Sequence, residues 1–138
     1  MQGMPATMRQ RSPPGAGPTI GEADPTLEEN MDYPGMITNL PEADIPFDGV
    51  RGWLLQGPGQ QMVFMDIAPV GAVPKHSHRA QFGVVLDGEM TLTIAGESRR
   101  LRKGDTYFIP DGVVHSAVFH THVKVLDMFD EPGRYQVK

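Results

Sequence analysis

The chain has 138 residues and a net charge of −5, with 39% hydrophobic and 21% charged residues, a size and balance that fit one folded domain. The acidic balance excludes a surface made to coat nucleic acid, and the absence of cysteine excludes disulfides, zinc fingers, iron–sulfur clusters and thiol nucleophiles. No run of about 18 apolar residues could span a bilayer and no lysine-then-apolar leader opens the chain, so no membrane contact and a cytoplasmic location are expected.

Residues 1–35 hold six of the thirteen prolines and four of the nine methionines, and their only other large apolar side chains are Ile20, Leu27 and Tyr33. So little apolar surface does not offset the entropy of ordering, and a flexible tail is expected there, with the folded domain over 36–138. A second expectation lays residues 31–40 across a neighbouring subunit as an edge strand. Further along, Gln61–Ile67 reads as a strand entered through the turn Gly57-Pro58-Gly59. Residues 82–86 form a short apolar run closed by Asp87-Gly88, a strong turn signal. Residues 90–94 alternate strictly, with Met90, Leu92 and Ile94 on one face. Ala95-Gly96 then makes a tight hairpin, and residues 97–101 return. Residues 105–109 and Val123–Phe129 complete the set. No window longer than about ten residues carries a helical period, so the expectation is an all-β sandwich or small antiparallel barrel.

The five histidines all fall between 76 and 122. His76 and His78 sit two apart, which on an extended strand puts both on one face about 7 Å apart. His115 comes from a different strand. Three neutral nitrogens from two strands make a cap that leaves coordination positions open, as ligand-binding metal sites require. Gln81, three residues past His78, offers an amide oxygen. His120 and His122 are expected on an exposed turn with no role, and Trp53 and Tyr107 as barrel packing. Arg99, Arg100, Arg102 and Lys103 read as protection of a sheet edge.

Gly71, His76-x-His78, Gln81 and Gly88 resemble the first motif of the cupin superfamily. Gly104-Asp-Thr-Tyr-Phe-Ile-Pro110-Asp-Gly112-Val-Val-His115 resembles its second. The resemblance implies a jelly-roll β-barrel with a divalent first-row metal ion (nickel, zinc, iron or manganese) held by His76, His78 and His115, and it implies a homodimer. Gln81 stands where the family's usual glutamate ligand would, which removes one negative charge from the metal's surroundings. Asp127-Met-Phe129-Asp-Glu-Pro132-Gly-Arg134 resembles the ending of the small cupins that open unsaturated uronate rings in pectin and alginate breakdown. In that subgroup the corresponding aspartate, phenylalanine and arginine line the pocket. The resemblance therefore implies catalytic roles for Asp127 and Arg134 and a place in the substrate pocket for Phe129. From the residues alone, Asp127 shares a face with Val123, Val125 and Phe129, where a carboxylate serves as acid or base or forms a structural pair with Arg134. The expected function is metal-assisted proton transfer on an oxygen-rich small molecule such as a sugar acid. A metal-dependent dioxygenase and a non-catalytic ligand- or metal-binding protein are the alternatives.

Overall fold

The computed structural model describes residues 32–69 and 71–138. Nine strands follow one short helix: α1 (Gly35–Thr38), β1 (Val50–Gln56), β2 (Gln61–Ile67), β3 (Gly71–His76), β4 (Gln81–Asp87), β5 (Glu89–Ile94), β6 (Glu97–Arg102), β7 (Thr106–Ile109), β8 (His115–Phe119) and β9 (Val123–Phe129). One sheet has the order β1-β2-β9-β4-β7 and the other β3-β8-β5-β6. Every pairing is antiparallel. The two sheets close face to face into the jelly-roll barrel that the resemblance implies, and the strand pattern's sandwich or small barrel agrees with it. Among the described residues, no helix is long and apolar enough to cross a membrane.

The core follows from alternation. Leu54, Val63, Met65, Val125 and Phe129 of one sheet meet Met90, Leu92, Leu101 and Phe119 of the other. In β9 the inward set is Val123, Val125, Asp127 and Phe129, so a carboxylate takes a core position. β6 lies at a sheet edge with Arg99, Arg100 and Arg102 exposed, and Arg100 pairs with Glu89 across the β5–β6 hairpin at 2.7 Å. This placement fits the edge-protecting role.

β1 lacks an alternating signature because Gly52, Trp53 and Leu54 are buried in succession. Leu54 points into the barrel, while Trp53, on the outer face, lies under Tyr33 with the rings 5.8 Å apart and edge to face. Trp53 therefore packs outside the barrel core. Tyr33 is buried and donates its hydroxyl to the Met65 carbonyl at 2.7 Å. The tail expected over residues 1–35 lies mostly outside the described residues. Within residues 32–40 the chain crosses its own five-stranded sheet and turns through α1, in place of the edge strand expected on a neighbour.

Candidate metal centre

Three local features bring the histidines together. Pro74 has no N–H to give to the β3–β8 ladder, and the register shifts between Val73 and His76. The strand ends at His76, and His78 follows in the loop, so the pair converges through a bend and not as two positions of one straight strand. The loop before β8 is tied to the first: Gly112, at φ +77, donates its N–H to the His78 carbonyl at 2.9 Å. Only glycine takes that left-handed backbone readily. His115 opens β8 opposite His76 in the β3–β8 register.

The three rings offer nitrogens that all lie within 4.8 Å of one another. Each Nδ1 faces a backbone carbonyl: His76 with Pro74 at 2.8 Å, His78 with Arg79 at 2.7 Å, and His115 with Val113 at 2.9 Å. A carbonyl only accepts, so each Nδ1 carries the hydrogen and each Nε2 presents a lone pair. The Nε2 atoms of His78 and His115 stand 3.1 Å apart. Two lone pairs at that distance call for a cation between them. Burial, reinforced by His76, His78 and Arg134, pushes His115 down to about 4 against the opposing Val113 carbonyl. Burial also lowers His78. Both rings are neutral near pH 7, as ligation requires. The donor set therefore fits a borderline divalent metal ion.

Gln81 starts β4, is buried, and lines the same cavity of about 90 Å³ as the histidines. Its side chain bonds to Asp127. Asp127, 3% exposed, sits on β9 between Val63 of β2 and Gly83 of β4. Burial raises its carboxyl to about 6, while hydrogen bonds from Tyr107 and Gln81 and the charge of Arg134 pull the other way. Tyr107 donates to Asp127 Oδ1 at 2.6 Å. Burial, and then the Asp127 charge, hold the Tyr107 hydroxyl well above its usual titration range, so it remains a donor. Gly83 makes this pair possible: a Cβ there would land on the Tyr107 ring and the Asp127 carboxyl.

Phe129 lies beneath His78, with ring centres 5.3 Å apart. Arg134 reaches the same cavity, its guanidinium 4.6 Å from the Tyr135 ring centre and 5.6 Å from that of Phe129. Gln61 holds Arg134's loop in place. Its amide donates to the Tyr135 carbonyl at 3.0 Å and accepts the Tyr135 N–H at 2.9 Å. All the site residues expected from the sequence thus converge on one cavity. His120 and His122 lie away from it, His120 bonded to Thr91 and His122 to buried Asp66. Tyr107, beside Asp127, and Gln61, which ties the Arg134 loop, are the positions around this cavity that sequence reasoning missed. The signal for Tyr107 was available: a phenol on the inward side of β7 needs an acceptor, and Asp127 faces it.

Residues 63–129 match the family model described as "Cupin domain". The structure is similar to KdgF from Halomonas sp., with 26% identity and a TM-score of 0.59 over 67% of this chain and 86% of that one. It is also similar to an RmlC-like cupin from Shewanella frigidimarina, with 27% identity and a TM-score of 0.61 over 70% and 87% of the two chains. Among curated sequences, oxalate oxidase GF-2.8 of Triticum aestivum is 36% identical over 67 residues, 41% of this chain. The matched stretch spans only 30% of that protein's length.

Proposed function

We propose that this chain, which carries a cupin domain, is a mononuclear metalloenzyme that moves a proton on a small oxygen-bearing acid, as in opening an unsaturated sugar-acid ring. The observation that carries this reading is the meeting, in one cavity, of three histidine nitrogens placed to hold a metal ion and a buried carboxyl whose protonated form burial favours. His76, His78 and His115, with Gln81 as a weaker fourth ligand, would hold a divalent nickel, zinc, iron or manganese ion, which would supply a Lewis acid for a substrate oxygen. Asp127 accepts or returns the proton, because its carboxyl lines the same cavity as the three histidines and no other carboxylate does so among the described residues. Tyr107 and Gln81 hold its carboxyl still while that happens. Arg134 takes the substrate carboxylate in its planar fork. Phe129 closes the apolar side of the pocket and keeps water from the reacting atoms.

Nickel- or zinc-loaded protein assayed on unsaturated uronates under nitrogen tests the reading. Turnover is expected without oxygen. Asp127→Asn should keep the metal and lose most of kcat, and Arg134→Lys should chiefly raise KM, since an ammonium does not reproduce the fork. Full activity in Asp127→Asn would overturn the proton-transfer role.

The match to oxalate oxidases favours one second reading, an oxygen-dependent oxidation of a small acid in the manner of a dioxygenase or oxidase. It demands dioxygen and a redox-active metal, so the same assay separates the two. Binding without turnover in either atmosphere would leave a ligand- or metal-binding protein. We further propose that the chain is a homodimer. Leu55, Met62, Met128, Phe82 and Phe108 follow one another in register across the outer face of the five-stranded sheet, and four of them are at least 41% exposed. A continuous apolar row of this kind supports a second copy docking there. Light scattering should read twice the 15.1 kDa chain mass, and Phe82→Glu with Phe108→Glu should halve it.

A further inference from the structure

Two cavities meet at the metal centre, and their chemistry differs. The inner one holds the histidines, Gln81 and Asp127. The outer one, about 290 Å³, is walled by Ile45, Pro46, Phe47, Val50, Val73 and Phe119 among others. Among the described residues, its only polar side chains are His76, Arg134 and Tyr135, and these three line the inner cavity as well. Polar groups are thus confined to the junction, and the far wall is apolar.

Half of the residues that line this outer cavity lie outside the matched domain of residues 63–129. Ile45, Pro46, Phe47 and Val50 precede it, and Arg134 and Tyr135 follow it. The two flanking segments are locked to each other. Ala43 bridges Val137, the Asp44 N–H donates to the Gln136 carbonyl at 2.8 Å, and the Lys138 N–H donates to the Glu42 carbonyl at 2.8 Å. The outer cavity is therefore a fixed feature of this chain. Arg134 stands at the junction with its Nε shielded and lacking a hydrogen-bond partner among the described residues. No carboxylate lies within ion-pair distance of its guanidinium among those residues.

The far wall offers a ligand no polar side chain among the described residues, and an apolar cavity of about 150 Å³ is large enough for benzene. We infer that the ligand of this centre is an acid with an aromatic or aliphatic side chain of about six to ten carbons, its carboxylate on Arg134 and its apolar end in the outer cavity. This rests on the metal-assisted proton transfer proposed above and replaces its sugar-acid example with an apolar acid. A ligand with hydroxyls all along its length would bury them against Ile45, Phe47 and Phe119 without partners, which is costly. The apolar end also explains how a small acid is oriented, since the wall and the guanidinium fix its two ends while its oxygen-bearing carbon faces the histidines.

Calorimetry on nickel-loaded protein tests this with straight-chain 2-hydroxy acids from 2-hydroxypropanoate to 2-hydroxyoctanoate, 3-phenyl-2-hydroxypropanoate and galacturonate. Kd should fall about three- to fourfold per added methylene, and the phenyl compound should bind more tightly than galacturonate. Ile45→Asp should abolish the dependence on chain length while the metal content stays at one per chain, which reports the fold. Phe47→Ser serves the same purpose if Ile45→Asp does not fold. Affinity flat in chain length, a slope unchanged in the variants, or tighter binding of galacturonate would overturn this inference and leave the proposed proton transfer standing. No binding of any acid to the metal-loaded protein would overturn both.

Discussion

Replacing Asp127 by asparagine keeps the side chain's shape and removes its charge from a site that is 3% exposed. A rise of the carboxyl from 3.8 to about 6 corresponds to about 3 kcal/mol in favour of the protonated form. Between about pH 4 and pH 6 the folded chain keeps a proton that the unfolded chain has released. This group therefore makes stability fall as pH climbs through that window, and above it the whole cost of a buried carboxylate is present. The Asp127→Asn variant carries no such cost, and its amide oxygen still accepts from Tyr107. In metal-free protein, the melting temperature of the variant minus that of the parent should rise by roughly 10 °C from pH 4 to pH 7. Metal-free protein is the right material because a bound cation would itself favour the carboxylate. Thermal unfolding at pH 4, 5, 6 and 7 measures the difference. A difference equal at every pH would refute a raised Asp127, and one that shrinks toward pH 7 would reverse its sign.

Gly83→Ala should cost about 1–3 kcal/mol from overpacking, read by urea unfolding, and should break the Tyr107–Asp127 hydrogen bond that its missing Cβ allows. A chain lacking residues 1–30 should unfold at nearly the same temperature as the full chain, whereas Tyr33→Ala should lose about 3 kcal/mol, because the ring is buried against Trp53 and Phe64. Metal affinity followed by competition with a chelator should hold to lower pH than an ordinary imidazole site, since burial keeps His78 and His115 neutral below the usual histidine range. A decline centred at about pH 6.5, the ordinary imidazole value, would mean that these rings are solvated.

The most local features were the most legible. β2 and β9 run over the residues that their apolar patterns mark, Gln61–Ile67 and Val123–Phe129, and the Ala95-Gly96 hairpin falls where its turn residues require. The histidine trio was readable because His76, His78 and His115 are all close to strand ends that glycines and prolines punctuate. β1 was not readable, since Tyr33 covers Trp53 on the outer face while Leu54 enters the barrel, so Gly52, Trp53 and Leu54 are buried in succession and the period of two is lost at the middle of the strand. Gln61 looked like any polar strand end. Its role depends on the loop at 132–135 folding back across β2, a contact 74 residues away along the chain. The apolar outer cavity escaped for the same reason, as it joins residues 45–50 to residues 134 and 135.

Elemental analysis of the purified protein, paired with the same analysis of His115→Ala, tests the metal centre most directly. The geometry of the three Nε2 atoms predicts one divalent first-row ion per chain in the parent and a loss of that ion in the variant, with the fold intact by circular dichroism. A full equivalent retained by folded His115→Ala would contradict the three-histidine centre on which the proposed chemistry stands.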